Sequence, residues 1–263
     1  MDIRNEFPAL QGNTYLNTAA SGILYNSLYQ WRRDHDQAYY EQGSDFRMHQ
    51  MQFLESVKDS VAAFFNADRN QTYLTANFSS AYGVLLDGLP ANYRFLLLGH
   101  EFPAVYYQVQ SRSFEYELLP LGPDLEQRII ERIVEFQPQV FAFSMVQYSN
   151  GLKLSQNFLR MLKDRFPDLI LIADGTQYLG TEVINFNEAP IDALLGSCYK
   201  WMLGGYGCGV ALLKESLAQQ LYPDAQHRPL PTEAFLKHKT RLALRFEPGQ
   251  QDTLAFGSLQ HSI

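Results

Sequence analysis

Residues 196–209 read Gly-Ser-Cys-Tyr-Lys-Trp-Met-Leu-Gly-Gly-Tyr-Gly-Cys-Gly and contain one lysine, Lys200. Upstream, residues 169–177 read Leu-Ile-Leu-Ile-Ala-Asp-Gly-Thr-Gln, so that Asp174 ends an apolar run typical of a buried strand. Glycines after the lysine allow tight turns and a close approach of the backbone to a ligand. The two stretches predict a ligand site at strand ends, built around Lys200 and Asp174.

The chemistry of this pair fits pyridoxal phosphate. A lysine forms a Schiff base with the aldehyde of this cofactor, and a carboxylate keeps the pyridine nitrogen protonated so that the ring accepts electrons. Gln177 lies about one helical turn after Asp174 and can donate to the phenolic oxygen, while Ser197 can meet the phosphate. An exposed lysine and a helix-capping aspartate are the alternatives for each residue alone. The combination favours the cofactor.

Residues 75–81, Thr-Ala-Asn-Phe-Ser-Ser-Ala, form a second candidate anion site after a short strand at Tyr73-Leu74. Free N–H groups and hydroxyls at a helix start bind anions. The alternative is an ordinary N-cap made by Ser79 or Ser80. The neighbouring lysine motif favours the phosphate interpretation.

Residues 99–104, Gly-His-Glu-Phe-Pro-Ala, follow the predicted strand Arg94–Leu98. Either His100 or Phe102 is expected over the face of an aromatic cofactor. A core phenylalanine and a loop histidine are the alternatives, and neither residue is specific by itself.

Apolar runs alternate with helical patterns along the chain, which predicts an α/β fold. Continuous apolar runs indicate strands buried on both faces, as in a parallel sheet. The predicted strands are Arg94–Leu98, Phe114–Leu119, Val140–Ser144, Leu169–Ala173, Ala193–Gly196 and Gly209–Leu213. The predicted helices are Leu24–Tyr40, Gln50–Phe65, one after Asp124 with Gln127 as capping-box partner, and one after Ser155.

Charge and cysteine content limit the classes of partner. The 263 residues carry 21 basic and 28 acidic side chains, a net charge of −7, which disfavours nucleic acid as a partner. Two cysteines without a CxxC pair support neither a structural zinc nor a redox motif. No apolar signal core begins the chain and no apolar run is long enough for a membrane span. We expect a cytoplasmic protein without a metal and without a membrane partner.

A nucleotide-binding loop is the main rival interpretation of the glycine run. A Walker A loop places its lysine after the glycines and follows it with serine or threonine. Lys200 precedes the glycines, so the order is wrong. A GxGxxG fingerprint is also absent at the first strand, and an α/β nucleotide binder of another class remains a minor alternative.

These motifs occur together in one family. The motifs follow one another along the chain in the same order as in that family. The chain resembles the class V aminotransferase family of fold-type I pyridoxal phosphate enzymes, which includes cysteine desulfurases, selenocysteine lyases and kynureninase-like lyases. The resemblance covers nearly the whole chain. It rests on residues 15–22 (Tyr-Leu-Asn-Thr-Ala-Ala-Ser-Gly), 75–81, 101–103, 174–177, 197–200 with the glycine tail, and 245–249 (Arg-Phe-Glu-Pro-Gly).

The resemblance implies a three-layer α/β/α large domain with a mainly parallel sheet. It implies that the lysine carries the Schiff base and that the enzyme is a homodimer in which residues 247–249 reach the partner's cofactor phosphate. The remaining implied contacts are Asp174 on the pyridine nitrogen, Gln177 on the ring hydroxyl, Phe102 stacked on the ring, and Ser79, Ser197 and the amide around Phe78 on the phosphate.

Some positions depart from the family pattern. Desulfurases stack a histidine on the ring where this chain has Phe102, and often have histidine where it has Tyr199. A frequent asparagine near the ring hydroxyl is replaced, so that Gln147 or Tyr148 would serve. Cys198 and Cys208 lie in the lysine loop and cannot be assigned the sulfur-accepting role. Phe102 therefore argues against a strict cysteine desulfurase.

Family members continue well beyond the last residue of this chain, into a small domain that supplies the substrate-binding arginine. We expect an N-terminal segment at 1–22, a pyridoxal-phosphate-binding large domain at 23–250, and the start of a truncated region at 251–263, where residues 260–263 open a helix. The expected function is a transaminase or a desulfurase-like lyase acting on an amino acid. The alternative is an impaired short homologue or fragment that binds cofactor or a partner without turnover.

Overall fold

Seven strands form one sheet at the centre of the computed structural model, which describes residues 3–263. The strands are β1 Thr72–Thr75, β2 Arg94–Leu98, β3 Glu115–Leu119, β4 Val140–Ser144, β5 Ile170–Asp174, β6 Ala193–Ser197 and β7 Gly209–Leu213. Their order is β1-β7-β6-β5-β4-β2-β3. Strand β7 pairs antiparallel with β1 and β6, and the other pairs are parallel. This confirms the predicted α/β fold with a mainly parallel sheet.

The continuous apolar runs mark the central strands, as the sequence predicts. Every residue of β4, β5, β6 and β7 is buried, because helices cover both faces of the sheet. Strand β5 lies one residue later than predicted and therefore includes Asp174 as its last residue. The edge strand β3 is partly exposed.

Nine α-helices surround the sheet in the described part of the chain. They are α1 Asn26–Gln42, α2 Gln50–Phe65, α3 Phe78–Gly88, α4 Pro103–Gln110, α5 Leu125–Phe136, α6 Gln156–Arg165, α7 Glu215–Ala218, α8 Ala243–Phe246 and α9 Thr253–Ser262. Helix α2 has the predicted bounds, and α1 begins two residues later than predicted. None of the helices within residues 3–263 is long and apolar enough to cross a membrane.

The sheet separates two hydrophobic cores, which gives the three layers. Phe141 and Phe143 of β4 face a core shared with α2, α5, α6 and α9. Val140 and Ala142 of the same strand face a core shared with α3, α4, α7 and α8. Successive side chains of a strand point to opposite faces, so each buried strand contributes to both cores.

The helix starts test the predicted caps. The Ser155 hydroxyl accepts a hydrogen bond from the Phe158 amide at 3.1 Å, so Ser155 caps the helix that was predicted to follow it. The capping box at α5 is wrong, because Asp124 has a left-handed backbone (φ 51°) and its side chain makes no capping bond. An N-cap needs an extended backbone to direct its side chain at the first amides. Gln127 donates to Glu131 instead.

The last helix corrects the expectation for residues 260–263. The Asp252 carboxylate accepts hydrogen bonds from the Leu254 and Ala255 amides, so the helix already begins at Thr253. Residues 260–262 are its last turn, and do not open a new helix. The division into segments 1–22, 23–250 and 251–263 stays a prediction, and residues 1 and 2 lie outside the described range.

Candidate active site

A cavity of about 450 Å³ opens at the carboxyl ends of β4, β5 and β6, where open α/β sheets bind ligands. Its volume is within the roughly 300–1,000 Å³ typical of small-molecule sites. The lining residues include Asn77, Phe78, Ser79, Phe102, Ser144, Val146, Tyr148, Asp174, Thr176, Gln177, Ser197, Tyr199, Lys200 and Tyr206. The structure thus brings all seven predicted site residues to one cavity.

Lys200 lies in the turn directly after β6 and is 9% exposed. Burial lowers the pKa of its amine, and the nearby negative charge of Asp174 opposes that shift. A lowered pKa increases the fraction of neutral amine, which is the form that attacks a carbonyl.

Asp174 is the last residue of β5 and is equally well buried. Burial raises the pKa of its carboxyl to about 6, although hydrogen bonds from Thr176 and the charge of Lys200 oppose the shift. Its Oδ1 accepts a hydrogen bond from the Thr176 amide at 2.8 Å, so it does fasten the following turn. Within residues 3–263 its hydrogen bonds all come from Thr176, and the carboxyl lines the cavity, where a ligand can donate to it.

The start of helix α3 also lines the cavity. Asn77 is the N-cap, since its Oδ1 accepts from the Ser80 amide at 2.9 Å, so the alternative of a cap made by Ser79 or Ser80 is wrong. The Phe78 amide donates to the Ser197 hydroxyl at 2.9 Å. Among residues 3–263, the Ser79 amide and hydroxyl have no hydrogen-bond partner. A helix start with open donors suits an anion.

Thr176 is a site residue that the sequence reasoning missed. Its amide donates to Asp174, and its hydroxyl accepts from the Ser197 amide at 3.1 Å. It therefore joins the ends of β5 and β6 and fixes the spacing between the carboxylate and the lysine loop. Its position between Asp174 and Gln177 in the sequence could have indicated this role.

Gln177 lines the cavity but also holds the N-terminal segment. Its amide donates to the Ala19 carbonyl at 2.8 Å and accepts from the Trp201 indole at 2.9 Å. Gly22 donates to the Tyr199 carbonyl at 2.9 Å, and a side chain at this glycine would collide with the Lys200 carbonyl. The N-terminal segment therefore packs on the lysine loop. One N–H of the Gln177 amide remains for a ligand.

The structure distinguishes among the aromatic and amide candidates. Phe102 lines the cavity and meets Tyr148 edge-on, with ring centroids 5.5 Å apart. His100 is exposed and outside the cavity lining, in a left-handed conformation. Gln147 is buried behind the cavity, where it donates to Glu101, so Tyr148 is the member of that pair that faces the cavity.

Two outlying features are anchored in the fold. Glu247 is buried, accepts from the Leu74 amide at 3.0 Å and pairs with Lys58 at 3.3 Å. That residues 247–249 reach a partner's phosphate stays a prediction. Cys198 and Cys208 are free and buried, and their mutual hydrogen bond together with burial raises the pKa of the Cys198 thiol. Such thiols are poor nucleophiles.

The sequence profile of the aminotransferase class-V family matches residues 14–263, and the chain belongs to this family. A probable cysteine desulfurase of Ureaplasma parvum is 24% identical over 247 residues, which cover 84% of this chain and 59% of that protein. The chain thus spans about three fifths of the length of this curated relative.

Solved structures show the same fold. A C-DES mutant with glycine covalently linked to its PLP cofactor superposes with a TM-score of 0.87 at 19% identity, covering 98% of this chain and 72% of that chain. The apo cysteine desulfurase of Thermococcus onnurineus gives a TM-score of 0.80 at 18% identity, covering 99% of this chain and 69% of that one. At these identities the likeness establishes the architecture.

Proposed function

We propose that this chain binds pyridoxal 5'-phosphate in the cavity through Lys200 and acts on an amino acid as a transaminase or a desulfurase-like lyase. The observation that carries the proposal is the joint burial of the Lys200 amine and the Asp174 carboxylate at one cavity. Family membership and the cofactor bound to the C-DES relative support it.

The residues present fit this group at both of its ends. The open amide and hydroxyl of Ser79, with the Ser197 hydroxyl, suit a phosphate. The Asp174 carboxyl at the cavity suits a protonated ring nitrogen, and the remaining N–H of Gln177 suits a phenolic oxygen. The ring of Phe102 adds a flat apolar surface to the cavity lining.

When bound, pyridoxal phosphate supplies an aldehyde that condenses with amines and a ring that accepts the electron pair left at the substrate Cα. Lys200 would hold the aldehyde, and its amine would take or return the proton at the substrate Cα. Its lowered pKa suits this exchange. Asp174 holds a proton at the ring nitrogen, and Thr176 keeps Asp174 oriented.

Binding without efficient turnover is the second candidate for the isolated 263-residue chain. The rim residues Tyr148 and Tyr206 are 49% and 69% exposed, so the mouth of the cavity is open to water. Water weakens electrostatic stabilisation of a developing charge. Robust transamination or lyase activity of this chain would contradict the second candidate.

We also propose a cytoplasmic homodimer. Two free, buried cysteines suit a reducing compartment. Helix α1 exposes Tyr29, Tyr39 and Tyr40, which suit burial against a second copy. Light scattering coupled to size-exclusion chromatography distinguishes a mass of 30.2 kDa from twice that value.

The first test is chemical trapping of the cofactor. We expect a visible absorption band on mixing with pyridoxal phosphate and, after borohydride reduction, a label on the peptide containing Lys200. Lys200→Ala should lose both signals, whereas Lys237→Ala, which removes an exposed lysine outside the cavity lining, should keep them. Labels scattered over surface lysines would overturn the proposal.

A further inference from the structure

A second carboxylate lies behind the wall of the cavity. Glu101 follows β2, is 6% exposed and does not line the cavity. It accepts hydrogen bonds from the Ser144 amide at 3.0 Å, the Ser144 hydroxyl at 2.6 Å and the Gln147 amide at 2.7 Å. The proposed reaction assigns no role to this buried acid.

Glu101 and Asp174 flank the end of the same strand. Ser144, the last residue of β4, donates to Glu101 and is the register partner of Asp174 on β5. Neighbouring strands are about 4.8 Å apart, so one strand separates the two acids. The negative charge of Asp174 contributes to the raised pKa of Glu101, so the two acids interact across this strand.

The other charged or titratable groups nearby are few. Lys200 faces Asp174, and Arg112, which pairs with Asp87 at 2.7 Å, lies near Tyr82. Tyr82 is fully buried on α3 near both carboxylates, and its hydroxyl has no hydrogen-bond partner within residues 3–263. Burial keeps the pKa of Tyr82 well above its ordinary value, so this hydroxyl stays neutral near pH 7.

The two carboxyls ionise in sequence. The pKa of Asp174 is about 6. Burial raises the pKa of Glu101 to about 7, and the charge of Asp174 adds to the shift although hydrogen bonds from Ser144 and Gln147 oppose it. Between mildly acidic and mildly basic pH, the Asp174 side of the cavity therefore gains a second negative charge.

We propose that Glu101 is a positioning residue whose buried negative charge, acting through Asp174, strengthens the hold of the site on a protonated cofactor ring. The inference rests on the proposed cofactor function. A second negative charge behind Asp174 makes loss of the ring proton less favourable. Glu101 thereby keeps the cofactor tightly bound above neutral pH.

Glu101→Gln separates this charge from the hydrogen bonds. A glutamine Oε1 still accepts from the Ser144 and Gln147 amides, and its Nε2 donates to the Ser144 hydroxyl, which rotates to accept. The variant therefore removes the charge while keeping the geometry. Tyr82→Phe is the matched control, because it alters a neutral buried group beside the same acids.

The experiment measures the dissociation constant of pyridoxal phosphate at pH 5.5 and pH 8 for wild type, Glu101→Gln and Tyr82→Phe. We expect Glu101→Gln to bind like wild type at pH 5.5 and roughly tenfold more weakly at pH 8, the size of effect of two charges about 10 Å apart, or two strand spacings, at an effective dielectric constant near 20. Tyr82→Phe should change binding by the same factor at both pH values.

The outcomes separate the two proposals. The role of the charge would be overturned if the dissociation constant of Glu101→Gln differed from that of wild type by the same factor at both pH values, or did not differ at either. Binding by wild type that Lys200→Ala leaves unchanged would instead refute the cofactor site. Circular dichroism of Glu101→Gln at both pH values checks that the variant is folded.

Discussion

Two aspartates of similar burial lie at opposite ends of the neighbouring parallel strands β5 and β6 and have different partners. Asp192 precedes β6, is 8% exposed, pairs with Lys163 at 3.0 Å and accepts from the Leu171 amide at 2.7 Å. Asp174 ends β5, and among residues 3–263 its hydrogen bonds come from Thr176 alone. Asp192 is held by an ion pair and by the backbone of β5, whereas the Asp174 carboxyl lines a cavity. Available partners, more than burial, distinguish a structural acid from a site acid.

The largest expected effect concerns cofactor binding. Asp174→Ala should weaken retention of pyridoxal phosphate by about 100-fold or more, because it removes the partner of a buried ring proton. Asp192→Ala should retain cofactor with nearly the affinity of wild type. Dialysis followed by absorbance measures both, and equal losses in the two variants would erase the contrast between the acids.

For the free energy of unfolding we expect the opposite order, with the larger loss from substitution of Asp192. Asp192→Asn leaves the Lys163 ammonium without its carboxylate and should lower the free energy of unfolding by about 2–4 kcal/mol. Asp174→Asn keeps the bond from the Thr176 amide and removes a buried charge, so it should stabilise the apo protein by about 1–2 kcal/mol at pH 7.5. Urea unfolding of the apo proteins tests both signs.

The pH dependence of stability sharpens the role of the two site acids. Their pKa values are raised in the folded state, to about 6 for Asp174 and about 7 for Glu101. In the unfolded chain both carboxyls have pKa values near 4, so the folded state holds their protons more tightly. The resulting stability is fully present below about pH 4 and is lost as the pH rises to about 7. Glu101→Gln should therefore be more stable than wild type at pH 8, by about 1–3 kcal/mol, and similar at pH 4.5. Thermal melts of the apo proteins measure the difference in stability between Glu101→Gln and wild type at each pH. Equal differences at pH 4.5 and pH 8 would contradict this prediction.

The smallest expected effect lies at the phosphate end. Ser79→Ala removes one hydroxyl but keeps the helix-start amide, so affinity for pyridoxal phosphate should fall about 3- to 10-fold. Ser80→Ala is the control, because the Ser80 hydroxyl already bonds to Asn77 and does not line the cavity. Fluorescence titration measures both, and equal affinities for Ser79→Ala and wild type would remove its hydroxyl from the site.

Local patterns predicted the sheet well and the helix starts less well. Arg94–Leu98, Val140–Ser144 and Gly209–Leu213 have the predicted bounds, because apolar runs between polar turns define buried strands. The helix after Ser155 was predicted correctly, but the capping box predicted at Asp124 was wrong. Whether a residue caps a helix depends on a backbone angle that the connecting loop imposes.

The site shows the same division. Motif order was sufficient to select Lys200 and Asp174, because their side-chain chemistry and neighbouring glycines are specific. The role of Thr176 was missed, because it depends on the register between β5 and β6. The sequence did not decide whether Gln147 or Tyr148 faces the cavity, because this depends on how the loop after β4 turns. In the structure Tyr148 lines the cavity and Gln147 bonds to Glu101 behind it.

The sequence by itself determined the fold class, the family and the lysine–aspartate pair, since these follow from hydrophobic pattern and residue chemistry read along the chain. Only the tertiary structure decided which polar groups remain without partners. It showed that Asp192 is satisfied, that Asp174 is open, and that Glu101 is a second buried acid across β4. The physical reason is that burial and hydrogen-bond partners, and hence pKa values, come from residues far apart in sequence.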